Sequence, residues 1–79
     1  MNIKYISHSV DRMLKLNIST KDVESILSDP DGKIRQSRDK FIFYKKLRGR
    51  KDNLIAAVTV IKNKTTYEIV TVMINFEVK

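Results

Sequence analysis

One side chain in this sequence can take and return a proton near neutral pH, and that is His8. An unperturbed imidazole titrates at about 6.5, so a neutral histidine can act as a base and its protonated form as an acid. Arg12 and Lys15 follow it at i+4 and i+7, one flank of a helix at about 100° per residue. Further along, Lys46 and Arg48 supply cations for charge on phosphoryl oxygens, Tyr44 and Tyr67 supply ring faces for a base, and Thr71 supplies a late hydroxyl. These are the groups that metal-free cleavage of RNA needs: a base for the 2′-hydroxyl, cations for the phosphoryl oxygens, and an acid for the leaving 5′-oxygen. Each also has an ordinary reading. A histidine at a helix start is often solvated, threonine is a good strand former, and lysines on a sheet discourage edge-to-edge association.

Charge narrows the partners. The chain carries +7, and its first thirty residues balance four cations against four acids. Residues 31–53 hold nine Lys/Arg against three Asp, a local excess of +6 that includes Lys45, Lys46, Arg48, Arg50 and Lys51. A field concentrated in this way attracts nucleic acid or an acidic protein, unless it is simply a solvated basic surface. No Cys and a single His leave no zinc site of the usual kind, and no cofactor is expected. The absence of cysteine fits a reducing cytoplasm. The N-terminus lacks an apolar signal core and no apolar run reaches about 18 residues, so neither secretion nor a membrane partner is expected.

Positioning these groups falls to two helices and a sheet. Ile6, Val10, Met13 and Leu14 form an apolar stripe, with Ser7 as candidate N-cap, and this puts His8, Arg12 and Lys15 on nearly the opposite face. With such a start His8 points away from the sheet, and it reaches a cleft only at the sheet edge or ahead of the regular helix. Asn17 suits a left-handed helix end. Ser19 with Asp22 reads as a capping box, Ile18 with Val23 as a staple, and Asp29-Pro30-Asp31-Gly32 as the stop of the second helix. Met1 to Ile6 is too short to assign and serves as an edge strand or a lead-in. Four strands follow, at 33–37, 41–48, 54–62 and 66–74, joined by short turns that favour an antiparallel meander. The expected fold is therefore α+β, a single domain over residues 1–79 with two N-terminal helices packed on a four-stranded antiparallel sheet. Its open face is expected to show Tyr44, Lys46, Arg48, Thr59 and Thr71. In the last strand Val70, Val72 and Ile74 are expected to face one way, and Tyr67, Ile69, Thr71 and Met73 the other.

Taken together, His8, Arg12-Met13, Ile18-Ser19, Asp22-Val23, Ile26-Leu27, Asp29-Pro30, Phe43-Tyr44 and Val70-Thr71-Val72 resemble a short prokaryotic domain family of unknown function. That family is grouped with BrnT-like and RelE-like toxins of the barnase–EndoU–colicin–RelE fold. The resemblance spans roughly residues 7 to 74, as scattered positions. It implies a toxin-like, metal-independent endoribonuclease of a toxin–antitoxin system, with RNA (mRNA included) as substrate and an acidic antitoxin covering the basic face. It maps the catalytic residues to His8 as base or acid, to Arg12, Lys46 and Arg48 on the phosphoryl oxygens, and to Thr71 positioning the phosphate. Tyr44, Lys45, Arg50 and Lys51 would complete the RNA-contacting surface. Two positions depart from the pattern: Asn17 stands where a glycine often follows the first helix, and Leu16 where an arginine usually precedes it. The alternative is a non-catalytic basic module for nucleic acid or an acidic partner, and a third reading is an interaction domain whose charge serves solubility. Oligomeric state stays open.

Overall fold

The computed structural model describes residues 2–78; Met1 and Lys79, counted in the expected domain, lie outside them. The element order is β1 (Asn2–Tyr5), α1 (Ser7–Leu16), α2 (Thr20–Ser28), β2 (Gly32–Arg35), β3 (Lys40–Lys46), β4 (Leu54–Lys62) and β5 (Thr66–Phe76). The class is α+β, as expected, but the sheet is five-stranded and mixed rather than four-stranded and antiparallel. Its order is β1-β5-β4-β3-β2. The last four strands form the expected meander. The fifth is β1, which pairs parallel to β5 through Asn2↔Thr66 to Tyr5↔Ile69. Four residues suffice because Ile3 and Tyr5 pack on the core, and the pairing closes an edge that β5 would otherwise leave open.

Both helices lie on one face of the sheet. Val23 and Ile26 of α2 are fully buried, as are Ile55 and Ala57 of β4 and Ile69 and Val72 of β5. The local signals for α2 act as read: Ser19 Oγ accepts from the Asp22 amide at 3.1 Å, and the Asp22 carboxylate accepts from the Ser19 amide at 2.9 Å. Asn17 ends α1 at φ 56°, ψ 47°, with its N–H returned to the last turn.

The start and phase of α1 differ from expectation. Ile6, not Ser7, is the N-cap residue, and the first turn is braced by the Ser9 hydroxyl donating to the Ile6 carbonyl at 2.7 Å. Ser9 is fully buried and Met13 nearly so, whereas Val10 and Leu14 face outward. The helix begins one residue after β1, so the strand fixes its rotation, and a small Ser9 lets its backbone approach the sheet. Of the stripe chosen from hydrophobicity only Met13 is therefore buried, and Arg12 turns from solvent toward the sheet side, half-buried.

β5 carries the second correction. Val58 pairs with Thr71 but Thr59 with Ile69, so Val70 is an extra residue. A second irregularity lies between the Leu54↔Phe76 and Ala56↔Met73 pairs, where Asn75 takes φ 52°. Strict alternation fails at each. Tyr67, Ile69, Val72 and Ile74 all face the helices, while Val70, Thr71, Met73 and Phe76 share the other face. Thr59 is also on the helix side, fully buried, its hydroxyl donating to the Ala57 carbonyl at 3.3 Å. Of the expected open-face set Tyr44 and Thr71 are present and Thr59 is not, and the surface is more apolar than expected. Its centre is Ile42, Ala56 and Val58, with Ile34, Tyr44, Val70, Met73 and Phe76 around them.

Candidate nucleic-acid interface

The sheet divides the expected catalytic set. His8, exposed, and Arg12 belong to α1 on the helix side. Thr71 is on the opposite face, paired with Val58, and Tyr44 is there too, tilted against Phe76 with ring centroids 5.7 Å apart. Tyr44 also lies across Gly32 so closely that a Cβ at that position would collide with its ring, which makes it a cover for the strand.

Several expected RNA-binding cations are occupied by the fold. Lys45 Nζ donates to the Asp29 carbonyl at 2.7 Å and pairs with the carboxylates of Asp29 and Asp31 at 3.4 and 3.9 Å, closing the end of α2. Lys46 Nζ donates to the Asp52 carbonyl at 2.8 Å. Arg50 reaches back to α1, donating to the carbonyls of Asn17 at 2.6 Å and Leu16 at 2.9 Å, where a cation also meets the negative end of the helix dipole. The same guanidinium holds Asp52 at 2.7 Å. Their hydrogen bond pulls the Asp52 carboxyl below its ordinary pKa and pushes Arg50 above its own. Arg48 and Lys51 remain exposed, Arg48 beside a polar groove of about 460 Å³ that also contains Asp22 and Asp29.

A different group of residues does come together. Where the β2–β3 and β4–β5 turns meet, a cleft of about 450 Å³ is lined by Phe41, Ile61 and Tyr67 on its floor and by Arg38, Asn63 and Lys64 on its rim, with Asp39 beside them. No helix residue lines it. The floor is aromatic in depth: Phe41 and Phe43 stand 6.2 Å apart and Phe43 and Tyr67 6.3 Å, and Lys33 Nζ sits 5.4 Å above the Phe41 ring. The β2–β3 turn is rigidly held. Arg35 donates to the carbonyls of Ser37 at 3.1 Å and Arg38 at 3.4 Å, and the Ile61 amide donates to the Asp39 carbonyl at 2.8 Å.

The other turn stores strain. Asn63 and Lys64 both have positive φ, 53° and 63°, and the Thr65 amide donates to the Lys62 carbonyl, the geometry of a two-residue hairpin that favours Asn-Gly. Asn suits its position; lysine costs about 1–2 kcal/mol there. Lys64→Gly is therefore expected to stabilise the fold by about 1 kcal/mol, read as a Tm rise of roughly 4–8 °C in a domain of this size by thermal circular dichroism.

The sequence offers Tyr67 and a short turn between the strands at 54–62 and 66–74, but nothing local in it brings them to Lys33, Arg38 and Phe41. The available signal was topological: in a meander, alternate turns fall at the same end of the sheet.

The curated proteins and the solved structures contain no match to this chain. A family model does match, over residues 5–74, under the description "Domain of unknown function (DUF4258)". That span takes in α1 to β4 whole and most of β5, and of β1 only Tyr5. The chain belongs to the DUF4258 family.

Proposed function

We propose that this protein is a non-catalytic module that binds single-stranded RNA. The observation carrying the proposal is the cleft between the two turns, in which Lys33, Arg38 and Lys64 surround the rings of Phe41 and Tyr67. Bases stack on aromatic faces while neighbouring cations neutralise the backbone, and this combination is what single strands require. The separation of His8 from Thr71 by the sheet favours binding over cleavage. RNA rather than DNA follows the toxin-like resemblance of the sequence.

The test is fluorescence anisotropy with a labelled oligouridine about a dozen nucleotides long, set against a duplex of equal length. Three phosphate contacts at about 0.7 each predict that log K falls with log salt at a slope near −2, with the single strand preferred. The oligonucleotide should be recovered intact after incubation with wild type or with His8→Ala. Equal affinity for duplex, or no salt dependence, would refute the binding site. Cleavage by wild type but not by His8→Ala would restore the catalytic reading. Lys64→Gly, though more stable, should bind more weakly than wild type.

A further inference from the structure

The outward side of α1 and its N-cap carry three exposed large apolar side chains at i, i+4 and i+8: Leu14 is 77% exposed, Val10 41% and Ile6 37%. Beside them lies a hollow of about 300 Å³, walled by Tyr5, Val10, Met13, Ile18 and Thr20, with Leu14 standing at its rim. The lining is almost wholly apolar, so covering it removes apolar surface from water at little polar cost. A projecting leucine next to an apolar hollow on one surface is self-complementary, because a two-fold axis places each knob in the other copy's hole.

We propose that α1 is a homodimer interface in which Leu14 of each copy enters the hollow of the other, with the two helices antiparallel. Charge selects a second copy as the occupant. Residues 1–30 balance four cations against four acids, whereas the chain beyond them is strongly basic, so this is the region where two copies can meet without repulsion. Asp11 and Lys15 lie one turn apart beside the stripe, both exposed, and neither takes part in the ion pairs found among the described residues. Two-fold antiparallel packing brings the same flank of each helix together with its direction reversed. Asp11 of one copy then lies across from Lys15 of the second, and the pair occurs twice. The cleft lined by Phe41 and Tyr67 lies at the turn end of the sheet and shares no residue with this hollow, so dimerisation leaves RNA binding open.

A helix of ten residues spans about 15 Å, so the interface is small and the dimer should have micromolar affinity. Sedimentation equilibrium from roughly one to several hundred micromolar should show wild type passing from monomer to dimer. Leu14→Glu should remain monomeric throughout with an unchanged melting curve, because the side chain is mostly solvated in the monomer. Asp11→Lys alone juxtaposes like charges twice and should weaken association by on the order of tenfold, and Lys15→Asp should do the same. The double variant Asp11→Lys/Lys15→Asp reverses both partners and should recover dimerisation. A wild type that stays monomeric, a Leu14→Glu variant that still dimerises, or a double variant no better than the singles would each overturn the proposal.

Discussion

Ile69→Asp and Val72→Asp are expected to prevent folding, while Val70→Asp and Thr71→Asp, between them, yield folded protein. Simple alternation along β5 would group Val70 with Val72 and Ile69 with Thr71. The irregularity at Val70 regroups them, because Val58 pairs with Thr71 while the next β4 residue, Thr59, pairs with Ile69. Ile69 and Val72 are both fully buried against the helices. A carboxylate forced into either site has no cation or donor to satisfy it and costs several kcal/mol. A domain of 79 residues has about 4–12 kcal/mol in total, so one such change removes most or all of it. Val70 and Thr71 lie on the face that no helix covers, where an introduced charge keeps contact with water. The measurement is far- and near-ultraviolet circular dichroism with urea melts on the four purified variants. Loss of fold in both Val70→Asp and Val72→Asp, with survival of both Ile69→Asp and Thr71→Asp, would mean that the strand runs in simple alternation without the extra residue.

What the sequence revealed follows how local each signal is. The capping box at Ser19–Asp22, the left-handed Asn17 and the limits of β4 depend on neighbours within a few residues, and all are present as read. The phase of α1 was illegible because it is set by a tether: one residue separates β1 from the helix, and the strand's pairing overrides the hydrophobic stripe. The irregularities in β5 were hidden for a similar reason, since TYEIVTVMINF alternates well enough that no glycine or proline announces the extra residues. The candidate site suffered most. Lys45, Lys46 and Arg50 look like free cations in a basic run, yet each carries a bond to a backbone carbonyl, and those of Lys45 and Arg50 reach to helix ends distant in sequence. A count of charges cannot tell a lysine that closes a helix from one that waits for a phosphate. The side chains of Arg38 and Lys64, at the turn ends, make no such bond among the described residues.

That distinction leads to the largest functional effect expected. Tyr67→Leu and Phe41→Leu should each weaken binding of oligouridine by about 5- to 150-fold, the equivalent of about 1–3 kcal/mol for one stacked base. Leucine keeps the apolar contacts with Ile61 and Phe43 but removes the flat face, so the loss reports stacking rather than unfolding. Both side chains are only half-buried, which leaves ring surface for a base to cover. Replacing the cations gives a different signature. Arg38→Gln removes one phosphate contact and should flatten the salt slope by about 0.7 with a smaller loss at high salt, whereas the aromatic variants should leave the slope unchanged. His8→Ala and Thr71→Ala, one on each side of the sheet and both outside the cleft, serve as controls and should bind as wild type does. If the aromatic variants bind normally while Arg38→Gln binds weakly, the surface attracts RNA by charge alone and the cleft is not a base-stacking site. If His8→Ala is the variant that loses affinity, the interface lies along α1. Each outcome assigns binding to a different group of residues, because the cleft shares no residue with α1 and the sheet separates both from Thr71.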